Sequence, residues 1–180
     1  MIMKHLPSIG EILAAKRQSF RGFSLIETLV YLALLVVIAV IVVETFLSLR
    51  NVFAQARAHH LVTGAAEASL ERMVFEIEDA AQVVVADSVF GSHPGSLTVS
   101  NDGVTRAFYI DSGQLRVKEN GVDAGPLTPS AVTVENLIFT RYVNAHTEAV
   151  RISLTLHVEG EPVSLTKSFR TMSVLRNAYE

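Results

Sequence analysis

Residues 21–49 read RGFSLIETLVYLALLVVIAVIVVETFLSL, and this stretch decides how the N-terminal part of the chain folds. Every residue from Leu29 to Val43 is apolar or Tyr, and the apolar character extends with two interruptions from Phe23 to Leu49. As an α-helix, those 27 positions are about 40 Å long, whereas the hydrocarbon layer of a bilayer is about 30 Å thick. The stretch therefore predicts a helix that can span a membrane.

Positive charge precedes this helix. Residues 1–22 contain four cationic side chains and one acidic side chain, a net charge of +3, with Lys16, Arg17 and Arg21 nearest the apolar run. The positive-inside rule places this end in the cytoplasm and everything after Arg50 outside. We expect a single-pass protein of the cytoplasmic (inner) membrane, surrounded by membrane lipid.

The remaining composition excludes several classes of function. Residues 23–180 contain 11 cationic and 17 acidic side chains, a net charge of −6, so the chain has no general attraction for phosphate backbones and we predict no nucleic-acid partner. The absence of cysteine excludes disulfides, thiolate metal sites and cysteine nucleophiles. His59 and His60 are adjacent and diverge on a helix, so they do not suit one metal ion. We expect no catalytic residues, metal or cofactor.

The pattern after Arg50 predicts that the helix continues. Gly64 is the only glycine between Gly22 and Gly91, and no proline occurs between positions 7 and 94. Residues that break helices are therefore almost absent from this stretch. Apolar residues recur at helical spacing, with charged residues between them, at Leu49, Val52, Phe53, Ala56, Leu70, Met73, Val74, Ile77, Ala80 and Ala81. We predict one helix over 23–81, with the apolar stripe of residues 70–81 covering a sheet.

Beyond residue 81 the period changes from 3.6 to 2. Residues 150–158 alternate between apolar and polar side chains, as a half-buried strand does. Six further strands are predicted at 82–86, 97–100, 104–110, 114–119, 132–142 and 163–169. Turn residues such as Asp102-Gly103 and Asn120-Gly121 separate them, which indicates an antiparallel meander.

The motif at the start of the apolar run resembles a known family. Arg21-Gly22-Phe23-Ser24-Leu25-Ile26-Glu27-Thr28, after a basic leader, is similar to the precursors of the type IV pilin-like superfamily. The resemblance implies cleavage between Gly22 and Phe23 by a prepilin peptidase/methyltransferase, N-methylation of Phe23, and assembly with other pilin-like subunits. It also implies that Glu27 is the family's glutamate at the fifth position of the mature chain.

The position of Glu27 has a physical explanation. A lone carboxylate in hydrocarbon costs at least ~2.5 kcal/mol, so an intramembrane Glu is a functional candidate. Cleavage after Gly22 creates a positive amine at Phe23, and Glu27 of one subunit can neutralise the amine of its neighbour. A misplaced subunit leaves two unpaired buried charges, so the pair specifies register.

Glu44 has two interpretations. It lies late in the apolar run, where it can keep its carboxylate among the outer headgroups, or it can form a second contact between helices in a filament. Substitution by Leu with unchanged assembly would remove the second interpretation.

These observations predict an α+β fold: a long N-terminal helix packed against a C-terminal antiparallel head. The predicted divisions are a leader at 1–22, a transmembrane and filament-core helix at 23–49, an amphipathic continuation at 50–81 and the head at 82–180. The segments 70–81 and 169–177 resemble minor pilins and pseudopilins of a type IV pilus or a type II secretion-like filament.

Two alternatives remain open. A bitopic membrane protein with an external binding or sensing head needs no cleavage. A secreted domain released by signal peptidase begins after Val43, although such signals have apolar regions of about 7–15 residues and a small-x-small site.

Overall fold

The computed structural model describes residue 22 and residues 24–144, 147–160 and 163–176. Within these residues, one α-helix, α1, runs from Leu25 to Asp79. Contacts divide the chain into two units, one ending at Phe46 and one beginning at Leu47. The predicted α+β fold, with a long helix and antiparallel sheets, is confirmed.

The helix ends two residues before the predicted position. The Ala80 N–H still bonds to the Ile77 carbonyl at 3.3 Å, but the Ala81 N–H donates to the Ser100 carbonyl at 3.0 Å. The chain therefore leaves the helix because its backbone begins to pair with a strand.

Five strands form the first sheet, in the order in which they occur along the chain. They are β1 Gln82–Val83, β2 Leu97–Asn101, β3 Val104–Asp111, β4 Gln114–Glu119 and β5 Val122–Pro126. Two-residue turns join β2 through β5, and both residues of each turn have positive φ: Asp102-Gly103, Ser112-Gly113 and Asn120-Gly121. This is the type I′ geometry whose twist matches that of the flanking strands. The predicted meander is confirmed.

One prediction for this sheet is wrong, and one strand was missed. The strand at 82–86 stops at Val83, and a 3-10 helix covers Val85–Asp87. The backbone turns because the Ser88 hydroxyl donates to the Val84 carbonyl at 2.7 Å while accepting from the Thr98 N–H at 2.9 Å. Strand β5 was not predicted.

Three strands form the second sheet: β6 Thr133–Asn144, β7 Thr147–Val158 and β8 Leu165–Val174. All pairs are antiparallel, with a bulge in β6 between Val134 and Asn136. These strands extend beyond the predicted ones, since β7 begins three residues earlier and β8 continues five residues further.

The core of the second unit lies between α1 and the inner faces of both sheets. The sheets also bond to each other, as the Val134 N–H donates to the Gly113 carbonyl at 2.8 Å. The buried residues of α1 are Ala58, Val62, Ala65, Ala66, Ser69, Met73, Glu76 and Ile77. The covering stripe therefore begins twelve residues before the predicted Leu70.

One charged residue belongs to this buried row. Only 1% of the Glu76 side chain is exposed; its Oε1 lies 2.6 Å from Arg72 Nη2 and its Oε2 lies 2.9 Å from Arg106 Nη1. Arg106 Nη2 is 3.3 Å from Glu119 Oε1. The sequence pattern places charged residues between the apolar residues of this stripe, but Glu76 lies inside the buried row because Arg72 and Arg106 compensate its charge.

Candidate functional site

The candidate site is the beginning of α1, where Ser24 caps the helix. The Glu27 N–H donates to the Ser24 carbonyl at 3.0 Å and to the Ser24 hydroxyl at 3.3 Å, and the Thr28 N–H donates to the same carbonyl at 3.1 Å. Ser24 and Glu27 thus occupy the N-cap and N3 positions of an S-x-x-E sequence, the pattern of a capping box. This signal was present in the sequence and was missed there.

Glu27 lies in the first turn of α1 and is exposed. An acidic residue there interacts favourably with the positive end of the helix dipole. Its hydrophobic neighbours Leu25 and Ile26 are 81% and 73% exposed. Within the described residues, the Glu27 carboxylate has no ion-pair partner.

Gly22 lies before the helix and is exposed. A Cβ atom added there meets no other atom within 4 Å, and its φ does not lie in the left-handed region. The fold itself therefore does not require glycine at this position. The predicted new N-terminus, Phe23, and leader residues 1–21 lie outside the described residues.

The apolar run is entirely exposed. Every residue from Ser24 to Phe53 is exposed, and an 18-residue window of α1 has a mean hydropathy of 2.9 with 0% of it buried. Among the described residues, α1 is the one helix long and apolar enough to cross a membrane.

The two threonine hydroxyl groups within this run are satisfied by the helix itself. Thr28 Oγ1 donates to the Leu25 carbonyl at 2.8 Å, and Thr45 Oγ1 donates to the Ile41 carbonyl at 2.7 Å. Such bonds remove hydroxyl donors that would otherwise be unpaired in hydrocarbon. The surface is therefore compatible with lipid or with a second apolar helix.

Glu44 borders a shallow apolar depression on α1. Its other lining residues are Leu35, Val36, Ala39, Val40 and Val43, and the small Ala39 side chain creates the space. Glu27 and Glu44 are 17 residues apart, so their Cα atoms are about 26 Å apart on a straight helix. The structure does not bring the two carboxylates together, and each must act separately.

Potential ligand clusters are absent from the described ranges: no group of three or more His, Asp or Glu side chains there could hold a metal ion. His59 and His60 are both exposed on α1. The chemistry that this N-terminal segment offers is therefore the pairing of charge and the packing of an apolar surface.

Comparison with known proteins identifies the same segment. The model of the prokaryotic N-terminal methylation motif matches residues 17–43, which contain the Gly22-Phe23 junction, Glu27 and most of the apolar run. The chain thus carries the type IV pilin-like prepilin signal, and the predicted resemblance is confirmed. No curated protein and no solved structure matches the chain significantly.

This signal is found in structural proteins and implies processing by a prepilin peptidase and assembly with pilin-like subunits. A single apolar helix near the N-terminus fits a membrane-anchored pilin.

Proposed function

We propose that this chain is a minor pilin or pseudopilin, a structural subunit of a type IV pilus or a type II secretion-like filament. A prepilin peptidase cleaves it between Gly22 and Phe23 and methylates the new amine of Phe23. The subunit then moves from the membrane into a filament whose core is residues 23–49. The prepilin signal at residues 17–43 supports the processing step.

The observation that carries this proposal is the complete exposure of the apolar half of α1. Large side chains from Leu25 to Phe53 are 49–81% exposed in the folded chain. Burying one such side chain fully is worth about 1.5–3 kcal/mol, so a surface of this length requires lipid or other helices around it. Lipid covers it before assembly, and neighbouring subunits cover it afterwards.

Glu27 provides register in this assembly. Its carboxylate lies one turn into the helix, and the amine that cleavage would create at Phe23 is four residues away in sequence. We propose that Glu27 of one subunit pairs with the Phe23 amine of the next. The pair disfavours misplaced subunits because each would leave two charges unpaired in an apolar core.

The charge distribution supports an orientation in the inner membrane with the N-terminus inside and the head outside. Glu44 lies about 26 Å along the helix from Glu27, close to the thickness of the hydrocarbon layer. In the membrane it lies near the outer headgroups. In the filament, its apolar depression can accept a side chain of a neighbouring helix.

N-terminal sequencing of the full-length protein extracted from membranes tests the processing step. Phe23 as the first residue, methylated or not, supports the proposal. Met1 indicates an uncleaved bitopic sensing or binding protein, and a start after Val43 indicates a secreted domain. Substitution of Gly22 by Val sharpens this test, since the fold has room for the side chain and a block in processing would therefore reflect recognition.

Two variants separate the charge of Glu27 from its capping position. Glu27→Gln retains a capping-box side chain and the N–H bond to Ser24 but loses the charge, whereas Ser24→Ala removes the cap and retains the charge. We expect Glu27→Gln to be processed normally but to form no filaments. Ser24→Ala should retain most of the native yield of filaments. Normal filament yield from Glu27→Gln would contradict the proposed pairing.

A further inference from the structure

An exposed row on α1 faces away from the sheets. Glu67, Glu71 and Phe75 follow each other at intervals of four residues and so lie on one side of the helix. All three are exposed, and Phe75 is 62% exposed although it is a large aromatic residue. Glu67 and Glu71 repel each other at this spacing, and neither has an ion-pair partner in the part of the chain that the structure describes. We call this row the helix face.

The outer side of the β6–β8 sheet has the opposite charge. Arg151 pairs in register with Met172, and the next outward pair along the strands is Ser153 with Arg170, which makes the two arginines diagonal neighbours. Arg170 has no ion-pair partner among the described residues. The Arg151 guanidinium lies 4.9 Å from the centre of the Tyr142 ring.

Apolar side chains continue this outer side toward the end of the sheet. Tyr142 and Val174 both pair with Ala149. This is the next pair on the same side of the sheet after Arg151 and Met172, two residues further along each strand. Met172 is 60% exposed, Tyr142 41% and Val174 39%. We call Arg151, Arg170, Tyr142, Met172 and Val174 the sheet face.

These two faces lie at the same level of the second unit, and the sheet face points away from α1. The inner side of β8 contacts α1 twice: Lys167 Nζ donates to Thr63 Oγ1 at 3.4 Å, and Ser173 Oγ donates to the Val74 carbonyl at 3.4 Å. Strand β8 and α1 therefore run in the same direction, and Arg170 lies level with the helical turn that contains Glu67 and Glu71. Along this direction both faces present charge first and apolar side chains second.

We propose that copies of this chain associate side by side, with the helix face of one copy on the sheet face of the next. The charges are complementary, and their spacings are similar: about 6 Å between Cβ atoms four residues apart on a helix and about 7 Å between diagonal residues of a sheet. Phe75 then meets Met172, Tyr142 and Val174, residue types of which Tyr, Met and Phe are enriched at protein interfaces. Because two different faces meet, this contact is heterologous, and each added copy leaves a free face at the end of the array. The inference rests on the proposed filament only in requiring copies to lie side by side.

Disulfide cross-linking tests this contact, since the native chain contains no cysteine. The full-length double variant Glu71→Cys/Arg151→Cys is oxidised in membranes of cells that contain a prepilin peptidase, since Arg151 pairs with Met172 and so lies level with Glu71. Arg151 lies on the side of the sheet that points away from α1, so the two cysteines of a single chain do not meet and the proposed contact gives a ladder of dimers, trimers and larger species. The matched control is Glu71→Cys/Val122→Cys, since Val122 is 71% exposed but lies on the other sheet, and it should give no ladder.

Charge reversal in the same cross-linking chain tests the pairing. Adding Glu67→Arg should lower the yield of the ladder about fivefold, the effect of one exposed ion pair at the upper end of its usual strength. Adding Arg170→Glu alone should do the same, and the two reversals together should restore the yield. Failure of this restoration, with both single reversals effective, would show that these two charges do not face each other and would overturn the proposal.

Other outcomes also decide the question. Dimers without larger species from Glu71→Cys alone would indicate a helix-to-helix contact and overturn it. Absence of a ladder in a sample whose first residue is Phe23 would overturn it while leaving the proposed processing intact. A ladder in a sample that begins at Met1 would support the contact and contradict the proposed processing.

Discussion

Helix α1 contains two halves that differ in what covers them. From residue 25 to residue 46 every side chain is exposed, although most are apolar. From residue 47 to residue 79 the helix has a buried row, in which Val62, Ala66, Met73 and Ile77 are 0% exposed. The helix is continuous, so the difference arises from the partners that the chain supplies and not from helix formation.

Two glutamates of α1, Glu27 and Glu76, show the same contrast. Glu76 is buried and lies within 3 Å of two arginine nitrogens of its own chain, whereas Glu27 is exposed and has no such partner among the described residues. A charge with its partners inside the fold contributes to the stability of one molecule. A charge whose partner must come from outside contributes only when another molecule is present.

Removing each glutamate in turn gives the largest expected difference. Glu76→Ala leaves Arg106 without its buried partner, and we expect a loss of about 3–4 kcal/mol in the free energy of unfolding of the second unit. Glu27→Ala should leave that free energy unchanged. Urea unfolding of the full chain in mild detergent, followed by the near-UV circular dichroism of its tyrosines, measures both. Equal losses from the two variants would contradict the contrast.

A matched pair of apolar truncations should give a somewhat smaller difference. Met73→Ala removes a fully buried side chain and should cost about 3 kcal/mol, because a cavity remains between α1 and the sheets. Val37→Ala, at a position 57% exposed, should change the same unfolding by less than about 0.5 kcal/mol. A large loss from Val37→Ala would indicate that the apolar half of α1 packs on the second unit.

Removal of the cap should affect only the first turn of α1. Ser24→Ala deletes the hydroxyl that accepts the Glu27 N–H, a change that costs about 1 kcal/mol of helix stability. Hydrogen exchange in detergent should show faster exchange at Glu27 and Thr28 and no change beyond Asn51. Ser24→Asp retains an acceptor and should behave like the native chain.

The sequence predicted most of the fold for reasons that are visible in single residues. Type I′ turns require positive φ at both central residues, and Asp or Asn followed by Gly adopts it readily. Asp102-Gly103 and Asn120-Gly121 therefore predicted hairpins, which the structure confirms. The alternation in β7 predicted its buried face, because period 2 leaves only one choice of side. The prepilin motif predicted the signal that the family comparison identified.

What the sequence did not predict depends on contacts distant along the chain. In the sequence, Glu76 has the character of a surface residue. It is buried because the fold places Arg106, thirty positions later, beside it. The sequence also does not show that the first part of the covering stripe is buried. The sheets cover four small residues there: Ala58, Val62, Ala65 and Ala66. The sequence also gave no reason to place Met172 and Arg170 level with Glu71, since that relation follows from the register of β8.

Strand β5 is the clearest omission, and a pair of charges explains why it forms despite its composition. Val122–Pro126 contains Asp, Gly and Pro, which strands usually disfavour. Arg116 of β4 donates from Nε to Asp123 Oδ2 at 3.1 Å, and a second guanidinium nitrogen also contacts that oxygen. The Gly125 N–H donates to Asp123 Oδ1 at 3.1 Å. Asp123 therefore bonds both to the neighbouring strand and to its own backbone.

This pair leads to the smallest expected effect, a dependence of stability on pH. The hydrogen bond from Arg116 lowers the pKa of Asp123, so its stabilisation is complete above the ordinary aspartate pKa of about 4 and disappears as the pH falls through the lower value in the folded state. Because the pair is exposed to solvent, we expect the Tm difference between the native chain and Asp123→Asn to be no more than about 2 °C at pH 7 and to vanish as the pH falls through the lowered pKa of Asp123. Arg116→Gln should remove the same pH dependence by removing the donor. If Asp123→Asn lowered Tm equally at pH 7 and pH 2.5, its effect would come from the bond to Gly125 or from packing, and the charge pair would not be what holds β5 on the sheet.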